Sequence, residues 1–166
     1  MTVIRDQVLA KIPGPRLRIY AVWLPILRTD EDDKVSEATP ILAAEARASQ
    51  YWDPSGESSR RFARTLDLPL KTPAWDVYLL YAPKTRWEAA PPPPVFWMHQ
   101  LSFMPFTEAW RRFGKKRLDG ARFREEVEKL IATLPPAAAV AGDYNRLSHS
   151  GYWRADPPRS SSAPCA

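Results

Sequence analysis

Sulfur is scarce in this chain, which has one cysteine, Cys165, and three methionines among its 166 residues. A lone cysteine forms no internal disulfide. The two histidines, His99 and His149, stand at no ligand spacing with it, and there is no C-x-x-C pair or H-E-x-x-H run, so a closed metal site is not expected. Glycine is sparse at six residues. The Walker loop, the G-x-G-x-x-G turn and the G-x-S-x-G elbow are all missing, and with them the usual sequence support for nucleotide or hydrolase chemistry. No apolar run approaches the roughly 20 residues of a membrane helix. Residues 1–15 set Arg5, Asp6 and Lys11 among short apolar pieces in place of the continuous stretch of a secretory leader. A cytoplasmic chain without a membrane span is the expectation.

What is present suits one globular domain. A hydrophobic content of 45% over 166 residues provides a real core and argues against two independent domains. The net charge of +5 permits an acidic partner, but so modest a bias serves solubility equally well and does not call for nucleic acid.

Proline, at 18 residues, divides the chain into elements. Residues 18–23 are β-branched and aromatic, lie between Pro13-Gly14-Pro15 and Pro25, and read as a central strand buried on both faces. Asp32 or Asp33 caps a helix running to about Glu45; Pro40 either kinks it or, after Thr39, opens a second helix. Residues 48–52 form the next strand, and Asp53-Pro54 starts a helix to about Leu66 with Phe62, Ala63 and Leu66 inward and Arg60, Arg61 and Arg64 toward water.

Residues 75–82 carry the strongest strand pattern, and 95–101 make its hairpin partner. There Val95, Trp97, His99 and Leu101 share one face and Phe96, Met98 and Gln100 the other. The four prolines 91–94 between them favour an exposed, stiff polyproline II connection. A short helix over 107–113 and a basic run lead to Asp119, the cap of a last helix striped by Phe123, Val127, Leu130, Ile131 and Leu134. The expected organisation is an extension over 1–15, a folded domain over 16–134 and a disordered tail over 135–166.

At the end of the first strand, Trp23-Leu24-Pro25-Ile26-Leu27 has the form W-C-P-x-C with leucine in both cysteine positions. Together with Tyr51-Trp52-Asp53 before a helix, and Thr72-Pro73 before Trp75, it resembles the thioredoxin-like (redoxin) family over about residues 16–134. The run from Val22 to Asp30, V-W-x-P-x-L-x-T-D, is similar to a bacterial group of such proteins that lacks the active-site cysteines. The resemblance implies an α/β fold with a central mixed sheet flanked by helices, a cis-proline at Pro73 beside the motif, and a groove that accepts an extended segment of a partner. It imports no cofactor and no biochemistry.

The candidate binding groove comprises Trp23, Leu24, Pro25, Leu27, Pro73, Trp75 and Asp76. Leucines in place of thiols leave an apolar patch suited to docking, unless they pack down and seal the site. Asp76, set in an apolar strand, is either an acid–base group with a raised pKa or a strand-end acceptor. Asp53 reads first as a helix cap and His99 as a hydrogen-bonded histidine of a half-buried face. The basic residues Arg111, Arg112, Lys115, Lys116, Arg117, Arg122 and Arg124 read as a solvated face, with an acidic protein, anionic lipid or nucleic acid as the alternative. No catalytic residue is assigned. The expected role is a redox-inactive interaction or scaffold module with a protein partner. The alternative is a redoxin-type oxidoreductase working through non-cysteine groups or a partner's thiol.

Overall fold

The computed structural model describes residues 1–25, 39–69, 72–101, 111 and 113–135. Helix α1, Thr2–Ile4, runs directly into a π-helical stretch, Arg5–Leu9. Ile4, Val8, Leu9 and Ile12 recur at helical spacing and all four are buried. The first fifteen residues, expected as an extension, therefore build part of the main core.

Strands β1, Ile19–Trp23, and β2, Ala48–Trp52, pair in parallel with Ile19 opposite Ala48 and Trp23 opposite Trp52. The crossover between them carries α2, Pro40–Ala43, with proline in its first turn, where a missing N–H is harmless. Of the two alternatives for Pro40, a helix opening after Thr39 is the one observed. Leu42 is buried from this short helix. The expected cap at Asp32 or Asp33, Leu27, the helix residues before 111, and the tail with His149 and Cys165 lie outside the described residues.

β1 is not buried on both faces. Ala21 is buried while Tyr20 and Val22 are exposed, the period-two alternation of a sheet covered on one side. Helix α3, Glu57–Thr65, packs Phe62 and Ala63 on the buried cluster that includes Trp97, and Val77 and Leu79 of the hairpin pack on the same cluster. That hairpin pairs β3, Val77–Leu80, with β4, Phe96–His99, in antiparallel register from Val77 opposite His99 to Leu80 opposite Phe96. Both strands are shorter than the pattern suggests. Asp76 turns left-handed just before β3, at φ 52°, and the prolines before Val95 have no N–H to give a ladder.

Successive hairpin residues feed two cores. Tyr78, Leu80 and Met98 pack with Ala21, Leu42, Phe123, Val127 and the N-terminal helix. Trp97 packs on the other side with Leu66, Leu68, Ala74, Leu101 and Phe113, so the two faces of β4 divide as its alternation requires. The fold is thus a mixed α/β unit with helices on both sides. Its strands form two two-stranded sheets, in place of the one central mixed sheet expected. The sheets meet through side chains of the first core, with no ladder between β1 and β3 among the described residues.

The last helix, α4, is Gly120–Ala132, and the Asp119 carboxylate caps it by accepting the Arg122 N–H at 3.0 Å. Phe123 and Val127 are buried and Leu130 and Ile131 partly so. Gly120 lies where α4 meets the N-terminal helix; a Cβ there would stand 2.8 Å from Gln7 Cβ and 2.9 Å from its Cδ. Gly120→Ala should therefore lower stability by about 1–3 kcal/mol, although alanine is the better helix former. Urea unfolding checks this, and an unchanged or raised midpoint would show that the two helices are not in such close contact.

Candidate functional site

The end of the fold where β1 and β2 finish is assembled by Asp53. Its backbone N–H donates to Trp23 O at 3.0 Å, extending the parallel ladder one step past Trp52. Its carboxylate accepts the Ser58 N–H at 2.8 Å, the Ser58 hydroxyl at 2.7 Å, the Ser55 N–H at 3.1 Å and the Ser55 hydroxyl at 2.6 Å. The expected cap role is thus met from farther back: a turn through Pro54, Ser55 and Gly56 intervenes, and the helix starts at Glu57. Gly56 takes φ 63°, a left-handed conformation that glycine adopts without strain. Burial alone would raise the Asp53 pKa, but the bonds from Ser55, Ser58 and Glu57 outweigh it and hold the carboxyl down to about 2.

One further bond brings in the proline loop. Ala74 N–H donates to Ser59 O at 3.3 Å, fixing residues 73–75 to the first turn of α3. The segments bearing Trp23, Leu24 and Pro25 and those bearing Pro73, Trp75 and Asp76 are therefore tied to the same turn of structure through Asp53 and Ser59. Trp23, Leu24, Pro25 and Trp75 are partly exposed, and Pro73 and Asp76 are exposed. Trp23 Nε1 donates to Gln50 Oε1 at 3.1 Å, and Gln50 Nε2 donates to Thr39 O, so the indole edge is held in place. Leu27 lies outside the described residues.

The Thr72–Pro73 peptide is trans, as are all peptide bonds among the described residues, which corrects the cis-proline expected from the resemblance. A local turn accommodates it. Thr72 N–H and hydroxyl both reach Pro69 O, at 3.1 and 2.8 Å, and Trp75 N–H reaches Pro73 O at 3.1 Å.

Asp76 is exposed at the start of β3 and not buried within a strand. Its Oδ1 accepts the Tyr78 hydroxyl at 2.8 Å and its carbonyl accepts the Gln100 N–H at 2.9 Å. The Tyr78 oxygen also accepts from the Met1 amino group at 2.9 Å and lies 2.7 Å from Gln100 Oε1. Burial, then the Asp76 carboxylate, pushes the Tyr78 pKa well above the tyrosine range, so this phenol acts as a neutral donor and acceptor. The arrangement is that of a strand-end acceptor, the plainer of the two readings of Asp76.

His99 closes the same end of β4. It is 3% exposed, its Nε2 lies 3.1 Å from Phe113 O and its Nδ1 accepts the Leu101 N–H at 3.3 Å, which fixes the neutral Nε2–H tautomer. Leu118 N–H binds the His99 carbonyl at 2.7 Å, and the 3₁₀ turn Gly114–Lys116 folds beside it. Lys116 Nζ sits 4.6 Å from the Trp97 ring centre and Arg122 sits over Phe96 at 5.7 Å, so part of the basic run covers hairpin aromatics.

The proline-rich connection is anchored in a way that its polyproline pattern does not reveal. Arg61 donates to Ala89 O at 2.6 Å, Thr65 to Pro91 O at 3.0 Å and Tyr81 to Pro92 O at 3.1 Å, while Trp87 packs on Tyr81 and Phe62. The only signal for it in the sequence was aromatic residues on both sides of the run.

Among the described residues no group of three or more His, Cys, Asp or Glu side chains converges as a metal site, and no helix is long and apolar enough to cross a membrane. Comparison with protein-family models, curated proteins and solved structures yields no match to this chain.

Two measurements probe this end of the molecule. Asp53→Ala should cost about 1–2 kcal/mol in urea unfolding through loss of the cap; a loss within a few tenths would show that the turn holds itself. Burial, and less strongly Arg117 and Lys116, push the His99 pKa below its ordinary 6.5 against the pull of the Phe113 carbonyl. Neutral His99 therefore contributes stability that is complete above 6.5 and lost as pH falls through the depressed folded value. The unfolding midpoint should decline below pH 6.5 more steeply than in His99→Gln, and parallel pH profiles would contradict this role.

Proposed function

We propose that this chain is a thioredoxin-like domain without redox chemistry, and that it binds an extended, largely apolar segment of a partner protein at the joined strand ends. The supporting observation is the bond path from Trp23 to Asp53, from Asp53 to Ser58, and from the neighbouring Ser59 to Ala74. It ties a half-exposed Trp-Leu-Pro segment and an exposed proline loop to one helix start, with leucine at the position where a redox motif has its first thiol. The order of elements, the parallel pairing of β1 with β2 and the antiparallel β3–β4 hairpin support the thioredoxin-like reading. Apolar side chains held at fixed positions offer contact area at low ordering cost, while Asp76 and the carbonyls of the loop offer polar contacts to a backbone. Thiol–disulfide exchange needs a thiolate attacking a sulfur, and the described residues contain no cysteine.

Selection of the full chain against a random peptide library should enrich peptides with apolar residues and no requirement for cysteine. Trp23→Ala and Trp75→Ala, folded by circular dichroism, should each weaken the selected peptides at least tenfold, about 1.4 kcal/mol. Unchanged affinity in both variants would remove the groove from the interaction. The oxidoreductase alternative predicts insulin reduction that survives Cys165→Ser, whereas the binding module predicts no turnover above the uncatalysed rate.

A further inference from the structure

We propose that the turn before α4 holds a phosphate group, bound between the Lys116 ammonium and the Arg122 guanidinium. Both cations are seated at one aromatic ring. Lys116 Nζ is 6.0 Å and Arg122 Cζ 5.7 Å from the centre of Phe96, and Lys116 also lies 4.6 Å from that of Trp97. Like charges held this near one another repel unless a counter-charge joins them. Elsewhere on α4 a carboxylate supplies it, Glu126 for Lys129 and Glu128 for Arg124. Among the described residues Lys116 and Arg122 have none. Asp119, the one carboxylate between residues 113 and 122, accepts the Arg122 backbone N–H instead, while Lys115 and Arg117 add two more cations to the same turn.

The pair is set in place before any ligand arrives. Arg122 Nη1 donates to Lys115 O at 2.8 Å, and its Nε and Nη2, which bond nothing among the described residues, remain for two oxygens of an oxyanion. The 3₁₀ turn that carries Lys116 is itself pinned, by Lys116 N–H to Phe113 O at 2.8 Å and by Leu118 N–H to His99 O at 2.7 Å. Cations fixed in this way lose little freedom on binding. Burial, then the charge of Arg122, lowers the Lys116 pKa, and a bound anion opposes the second of these causes. A phosphate suits the pair better than a carboxylate, because a monoester sets about 1.5 to 2 negative charges at pH 7 against the two cations. Its several acceptor oxygens also serve guanidinium and ammonium at once. The site uses none of the groove residues, and its fate does not depend on the groove's.

Inorganic phosphate titrated into the full chain from about 0.1 to 20 mM at constant ionic strength, followed by amide chemical shifts, tests the site. The expected result is saturation, with the shifts centred on residues 114–122, and an unfolding midpoint raised above that in chloride. Lys116→Gln and Arg122→Gln, with unchanged circular dichroism, should each weaken phosphate about tenfold, whereas Lys129→Gln, at an ammonium already paired with Glu126, leaves it unchanged. Glycerol phosphate separates the two sources of the group: binding tighter than that of inorganic phosphate supports a monoester as the ligand, and equal or weaker binding supports the free ion. Shifts that do not saturate, that spread over exposed lysines and arginines generally, or that survive both glutamine variants overturn the proposal. If Arg122→Gln fails to fold, Lys116→Gln and the shift map decide.

Discussion

The bonds of Asp53 hold the strand ends of this protein together. Its N–H carries the parallel ladder past Trp23, and its carboxylate binds Ser55 and Ser58, which directs the chain out of β2 and into α3. From α3, Ser59 O fixes the loop that leads into β3. A four-acceptor role of this kind keeps the carboxyl ionised far below neutral pH and makes the residue structural, in the way helix caps are. The backbone of Trp23 and that of Ala74 are both bonded to this stretch, the first at Asp53 and the second at Ser59, while Trp23 packs on the first core and Trp75 on the second.

The hairpin supplies the rest of the organisation. Because β3 and β4 alternate apolar residues to both sides, each side needs a cover. The N-terminal helix, α2 and α4 serve one side, and α3 with Phe113 serves the other. α3 and Tyr81 also bind the carbonyls of the proline-rich connection, which has no N–H groups of its own to offer at its prolines. On β1, Tyr20 and Val22 stand open to solvent. Ser59, inside α3, carries a buried hydroxyl with no hydrogen-bond partner among the described residues, a local cost to stability.

Much of this was legible in the residues themselves. Strand identity followed from short β-branched and aromatic runs, and the two faces of β4 and the stripe of α4 followed from periodicities of two and 3.6. Asp119 was readable as a cap because its place before an amphipathic run leaves it few other roles. Burial of β1 on one face only was not legible, since periodicity says which residues share a face and not which helix will cover it. Nor was the N-terminal contribution to the core: Ile4, Val8, Leu9 and Ile12 are a short stripe whose partners lie more than a hundred residues away at Phe123 and Val127. The trans peptide before Pro73 departs from what the family resemblance implied, and local turn bonds at Pro69 and Trp75 account for it. Near the candidate groove, the bonds of Asp53 to Trp23 and of Ala74 to Ser59 were not legible, because both are made between backbone groups.

In the proposed reading, the partly exposed aliphatic and aromatic groups at the strand ends meet an extended partner segment beside the start of α3. The indole of Trp23 is held there by its bond to Gln50 Oε1 at 3.1 Å. The most direct measurement is a nuclear Overhauser map of the free protein with labelled tryptophan and leucine. Cross-peaks from the Trp23 indole or Leu24 methyls to Pro73 or Trp75 are the predicted result. Contacts of Trp23 and Leu24 confined to the β1–β2 sheet, with none to the proline loop, would contradict a shared groove.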